Sequence, residues 1–212
     1  MRISYAGVDA FLLDMSEGAF QDAIQARIWG LEKLLTEMAE VKTVILGANN
    51  LLVTYDCEVH QGETIRQMLH AAWEQAGSAH IAPNELVIPV SYGGVEGEDL
   101  PFVAQAAGLS EKEVVALHTG ASYRVAMVGF SPGFGYLTGL PQALAIPRRN
   151  TPRVLVEQKS VCLGGGFTAV TPSSGPSGWH VLGKAHCPDL FDASASPPCL
   201  LKAGDIVRFV SA

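Results

Sequence analysis

The residues best equipped for chemistry lie in the second half of this 212-residue chain. Gly129-Phe130-Ser131-Pro132-Gly133 matches G-x-S-x-G, the turn that exposes a serine nucleophile in α/β-hydrolases. In that turn the residue after the serine gives its backbone N–H to the oxyanion, and Pro132 has none. The glycine- and aromatic-rich run that follows carries no helical pattern, so hydrolase chemistry at Ser131 is not expected. Gly133 to Gly139 approximates a dinucleotide fingerprint, but it has one residue too many before the last glycine and no helix to hold a pyrophosphate. Gly164-Gly165-Gly166 is not followed by lysine, and G-x-x-x-x-G-K-[ST] is absent from the sequence, which argues against a phosphate-cradling loop. The histidines at 60, 70, 80, 118, 180 and 186 form neither H-x-H nor H-E-x-x-H, so no metal site is expected.

The charged groups say more. Arg148, Arg149 and Arg153 fall within six residues of an otherwise acidic chain. A guanidinium suits bidentate contact with a carboxylate or phosphate ligand, and it equally suits an ion pair with Asp or Glu; the sequence leaves both open. His118 follows a short helical pattern. It can move a proton near neutral pH, or simply sit at a helix C-terminus, where a cation is favoured. The run from Phe130 to Tyr136 reads either as a ligand wall, with glycine letting the backbone approach, or as a loop whose aromatics fill a core.

These groups need a scaffold, and its pattern changes near residue 80. Residues 10–14 read as a strand. From 19 to 38, Phe20, Ile24, Ile28, Leu31, Leu35 and Met38 recur at the spacing of an amphipathic helix. Strands follow at 41–46 and 51–55, across the turn-forming Gly47-Ala48-Asn49-Asn50. A second helix carries Ile65, Met68, Leu69, Ala72, Trp73 and Ala76 on one stripe. The order strand, helix, strand, strand, helix, strand predicts a small two-layer α+β domain over 1–82. Gly77 to Asn84 is the expected boundary. Beyond it, Ser110 and Glu113 form a capping box before a short helix reaching about Leu117. Short β-prone runs then occur at 122–128, 154–156, 161–163, 167–171 and 205–210, between Gly- and Pro-rich segments. Residues 83–212 are therefore expected to form a mostly β sandwich or barrel, giving an α+β chain overall.

Composition bounds the setting. With 48% apolar and 17% charged residues the chain is expected to be globular, and a net charge of −7 offers no basic footprint for nucleic acid. No apolar run approaches the roughly 18 residues of a membrane span. The start meets Asp9 too early for a signal peptide, and Cys57, Cys162, Cys187 and Cys199 form no C-x-x-C pair. Reduced thiols in the cytoplasm are expected.

One family is resembled strongly. The carrying segments are Gly129 to Pro141, Ile146 to Arg149, Thr151 to Arg153, Ser177 to Trp179, Leu190 to Asp192, and the ending Leu200-Leu201, Gly204-Asp205 and Phe209. Pro89-Val90, Tyr92 to Gly94, Asp99-Leu100, Gly108 to Ser110, Glu113-Val114 and His118 fit the same alignment. The chain is identified as a member of the allophanate hydrolase subunit 1 family, which includes the 5-oxoprolinase B subunits and the KipI inhibitors of histidine kinase autophosphorylation. The resemblance implies a cyclophilin-like β-barrel for the second domain and a small α/β-sandwich for the first. It also implies assembly with 5-oxoprolinase subunits C and A, which together hydrolyse 5-oxoproline to glutamate with ATP. This chain alone is then expected to bind no cofactor and not to be active by itself. The kinase-inhibitor activity is the alternative the same resemblance implies.

On that resemblance, Asp99 and His118 are the titratable residues nominated for proton handling. Phe134, Tyr136, Arg148, Arg149, Arg153, Thr168 and Trp179 are nominated to line a groove for an anionic substrate or a partner. The family pattern is broken at Val95, where an acid is usual, at Phe167-Thr168, where Gln-Thr is usual, and at Thr171, Ser177 and Ala203. The lost acid and glutamine bear on substrate identity rather than on the fold.

Overall fold

The computed structural model describes residues 1–16, 18–79 and 82–212; Glu17 lies outside the described residues, as do His80 and Ile81 of the expected boundary segment. The chain divides into two compact units, Met1–Ile81 and Ala82–Ala212.

In the first unit, strands β1 (Arg2–Tyr5), β2 (Ala10–Asp14), β3 (Val41–Leu46) and β4 (Asn50–Tyr55) form an antiparallel sheet in the order β1-β2-β4-β3. Helices α1 (Asp22–Thr36) and α2 (Gly62–Gln75) supply the other layer. Alternation along β2 and β4 turns Phe11, Leu13, Leu51, Val53 and Tyr55 to one face, where Ile28, Leu31, Leu35, Ile65 and Leu69 of the helices meet them. Both stripes pack into this core, but the first helix is shorter than the expected 19–38: Phe20 precedes it and is not part of the cluster, and Met38 follows it. The fourth strand of this sheet is β1, whose largely exposed residues give no apolar alternation. The strand expected after the second helix belongs instead to the other unit.

That strand is β5 (Glu85–Tyr92), and it opens the second unit. Helices α3 (Leu100–Ala107) and α4 (Glu111–Gly120) follow, then β6 (Tyr123–Val128), β7 (Gly135–Thr138), β8 (Arg153–Val156), β9 (Ser160–Gly164), β10 (Phe167–Val170), β11 (Gly175–Ser177), β12 (His180–Ala185) and β13 (Ile206–Ser211). Among the described residues seven strands close into a barrel in the order β10-β7-β6-β13-β5-β12-β9, parallel only between β13 and β5. The remaining pair, β8 and β11, forms a separate two-stranded ribbon. The Ser110 and Glu113 side chains complete the predicted capping box of α4.

Residues of the barrel strands alternate between two clusters. Val161, Val170 and Leu137 pack with Ile88, Tyr123 and Phe209. Cys162, Ala169 and Val181 point the other way, packing with Phe134, Val156 and Trp179. The Gly-aromatic run, left open in the sequence between a ligand wall and a core-filling loop, continues into β7. A Cβ at Gly135 would stand 3.0 Å from Leu201 Cδ1, so a larger residue there would have to push that side chain aside. Among the described residues no helix is long and apolar enough to cross a membrane.

Candidate functional site

Asp99 is placed by a tight approach of the preceding turn to β12. A Cβ on Gly97 would lie 2.1 Å from the Leu182 carbonyl oxygen, so only glycine permits this path. The turn delivers Asp99 to the position just before α3, yet its side chain makes no cap bond to the helix. It points instead at the arginines. Oδ2 accepts from Arg153 Nη1 at 2.6 Å and from the Val181 backbone N–H at 2.7 Å. Oδ1 accepts from Arg153 Nη2 at 2.8 Å and from Arg149 Nη1 at 2.9 Å. Arg153 thus binds both oxygens, and its Nε reaches Glu98 at 2.9 Å. Burial pushes the Asp99 carboxyl up; the Arg153 hydrogen bonds, the Val181 N–H and the charges of Arg153 and Arg149 outweigh it and hold the group below its usual range. A carboxylate with four donors in place has no lone pair left for a substrate proton.

His118 is fully buried, and α4 presents its ring to Phe209 at 4.7 Å between centroids. Its Nε2 lies 3.1 Å from Thr168 Oγ1 and its Nδ1 2.7 Å from the Tyr92 hydroxyl. The tautomer follows from Thr168. That hydroxyl donates its one proton to the Cys162 carbonyl at 2.9 Å, so toward His118 it can only accept. Nε2 therefore carries the hydrogen and Nδ1 accepts from Tyr92. Burial lowers the imidazole pKa to about 3 and raises the Tyr92 phenol. At neutral pH His118 is an uncharged member of a closed chain.

The aromatic nominees gather elsewhere, in the cluster with Val156. Phe134, Tyr136 and Trp179 meet pairwise edge to face at 5.0 to 5.7 Å. Phe167 joins them through Tyr136. The exposed Arg148 overhangs Trp179, with its guanidinium carbon 5.7 Å from the ring centroid.

The nine nominated residues therefore fall into three groups. Asp99, Arg149 and Arg153 form an ion-pair lock, His118 and Thr168 a buried neutral chain, and Phe134, Tyr136, Trp179 and Arg148 an aromatic wall with a cation at its rim. No hydrogen bond joins Asp99 to His118, and Thr168 is turned wholly inward. Sequence reasoning missed Glu98, whose adjacency to Asp99 was a usable signal. It also missed Tyr92, the Val181 N–H and the Cys162 carbonyl, and backbone groups leave no trace in a sequence. Among the described residues no group of His, Cys, Asp and Glu could hold a metal ion. The four cysteines are free.

Comparison with known proteins bears on most of the chain. The family described as "Carboxyltransferase domain, subdomain C and D" matches residues 1–201. Over 188 residues the chain is 42% identical to the 5-oxoprolinase B subunit of Escherichia coli O157:H7, covering 89% of this chain and 86% of that protein. Over 186 residues it is 37% identical to the 5-oxoprolinase B subunit of Haemophilus influenzae, covering 88% and 86%. Among solved structures it is similar to TTHA0988, with a TM-score of 0.81 and 31% identity over 96% of this chain. It spans only 39% of the TTHA0988 chain.

Proposed function

The chain belongs to the family of carboxyltransferase domains, subdomain C and D, and from that premise we propose that it is the B subunit of an ATP-dependent 5-oxoprolinase. The observation that carries this reading is its identity of 42% and 37% with two proteins so named, over 86% of each. The reaction adds water across the lactam C–N bond of 5-oxoproline and releases glutamate, and ATP hydrolysis in the complex drives it. Subunits A and C are the partners, and the complex works in the cytoplasm.

Two features support a share of the work that does not include acid–base chemistry. Asp99 is saturated by its arginines, and His118 is sealed and neutral, so neither offers a mobile proton. The chain matches 39% of TTHA0988, which supports a unit that acts beside further polypeptide. The names of the relatives favour the hydrolase component over an inhibitor of a histidine kinase.

The test is ATP-dependent release of glutamate from 5-oxoproline by this chain with its candidate A and C subunits, each omitted in turn. Turnover that needs all three is expected. An assembled set of folded subunits that releases no glutamate would refute the reading.

A further inference from the structure

Of the three clustered arginines, two are consumed by Asp99 and one is not. Among the described residues no carboxylate pairs with Arg148, although its neighbours Arg149 and Arg153 share a single aspartate. An exposed arginine is ordinarily a mobile one, yet the surroundings of Arg148 fix it in two ways.

The backbone is tethered on both sides of it. Gly165 N–H donates to the Ile146 carbonyl at 3.0 Å, His180 Nε2 lies 3.0 Å from the Pro147 carbonyl, and Arg149 N–H donates to the Gly178 carbonyl at 2.8 Å. The second of these comes from a buried imidazole stacked on Phe102, with ring planes 18° apart and centroids 5.0 Å apart. A carbonyl only accepts, so His180 holds its hydrogen on Nε2. A segment without helix or strand is thereby held to the β9–β10 hairpin and to β12.

The side chain is bedded as well. A Cβ on Gly164 would lie 3.3 Å from Arg148 Cγ and 3.2 Å from Trp179 Cγ. Gly165, at φ +63°, leaves Arg148 Nε just 3.7 Å from where its own Cβ would stand. The glycines of this hairpin, unexplained by any nucleotide motif, leave room for the arginine stem along the barrel wall. Trp179 closes the other side.

A cation whose backbone is tethered and whose stem lies along a glycine bed, with no carboxylate partner among the described residues, is partly preorganised for an external anion. We propose that Arg148 receives the carboxylate of the small lactam acid on which the complex acts, by a charge-assisted pair of hydrogen bonds. This deepens the oxoprolinase reading and rests on it for the identity of the acid. The division of labour is then plain: Arg149 and Arg153 build the site, and Arg148 faces the ligand.

The first test uses the full chain alone. 5-oxoproline should shift the Arg148 Nε–Hε NMR resonance, whereas 2-pyrrolidinone, the same ring without the carboxylate, should not. Equal shifts with both compounds, or no shift with either, overturn the proposal. In the reconstituted complex, Arg148→Ala should raise KM for 5-oxoproline about 10-fold or more, the size of one lost charge-assisted contact, with a smaller change in kcat. Arg148→Lys or added guanidinium should recover part of it. In a variant shown to assemble with its partners, an unchanged KM would show that this arginine does not hold the substrate; where assembly fails, the lactam comparison on the chain alone decides. If the wild-type complex releases no glutamate but the resonance still separates the two lactams, the oxoprolinase reading falls and the carboxylate site stands.

Discussion

Two polar clusters are buried in the second unit, and they balance their electrostatics by opposite means. Around Asp99 every side-chain partner is charged: one carboxylate, two guanidiniums and Glu98 at the margin, joined by short bonds and leaving Arg153 19% and Arg149 30% exposed. Around His118 nothing is charged: a phenol, an imidazole and a hydroxyl pass hydrogens in one direction to a backbone carbonyl. A charged cluster depends on every partner, because removing one leaves the others desolvated and unmatched. A neutral cluster tolerates the loss of one bond better, but it fails when a proton is forced onto it. The first is fragile to mutation and the second to acid.

The sharpest way to break this comparison is Asp99→Ala. It leaves Arg149 without a carboxylate, leaves Arg153 only the exposed Glu98, and strips the Val181 N–H of its acceptor. A loss of about 3–5 kcal/mol is expected, read from urea midpoints. Asp99→Asn should recover little, since shape without charge does not balance two cations. A cost below about 1 kcal/mol would place the lock among ordinary surface pairs. Because the folded Asp99 carboxyl is held low, its contribution is present above the usual carboxylate range and disappears as pH falls through the folded pKa.

The neutral cluster titrates higher. His118 falls from an ordinary 6.5 to about 3 in the folded chain, so between these values the unfolded state binds the extra proton. Stability is then complete above pH 6.5 and is lost as pH drops, by about 2 kcal/mol at pH 5. His118→Leu should abolish that slope between pH 6.5 and 5, whatever it costs at neutral pH. A slope that survives the substitution would mean that another group carries it.

The contrast between these clusters was only partly legible in the sequence. Helix periodicity in the first unit and the capping box at Ser110 are local signals, and the structure follows them. So are the β-branched runs of β6, β9, β10 and β13. The missed elements lack local signals: β7 begins with glycine and aromatic residues, and α3 begins with Leu100-Pro101 behind an aspartate that does not cap it. The arginine cluster was visible, but not its division, because what separates Arg148 from Arg149 and Arg153 is the position of Asp99, some fifty residues away. His118 stood out for its chemistry. Its silence comes from burial against Phe209 and Tyr123, which only the closed barrel supplies.

The smallest expected effect gives the finest test of the neutral chain. Thr168→Val keeps the volume but removes the acceptor of His118 Nε2–H and the donor to the Cys162 carbonyl, at an expected cost of about 1–2 kcal/mol. The informative quantity is the pH slope rather than the cost. Nε2 carries its hydrogen in both the neutral and the charged imidazole, so losing its acceptor should penalise both forms and leave the dependence between pH 6.5 and 5 close to that of the wild type. If Nδ1 carried the hydrogen instead, Thr168 would be donating to a bare Nε2, a bond only the neutral ring can accept. The substitution would then raise the folded pKa by about one unit, leaving the pH 6.5 to 5 range unchanged but ending the loss of stability sooner below pH 5. Urea titrations of the two proteins at pH values above and below 5 therefore read out the direction in which the chain passes its hydrogens.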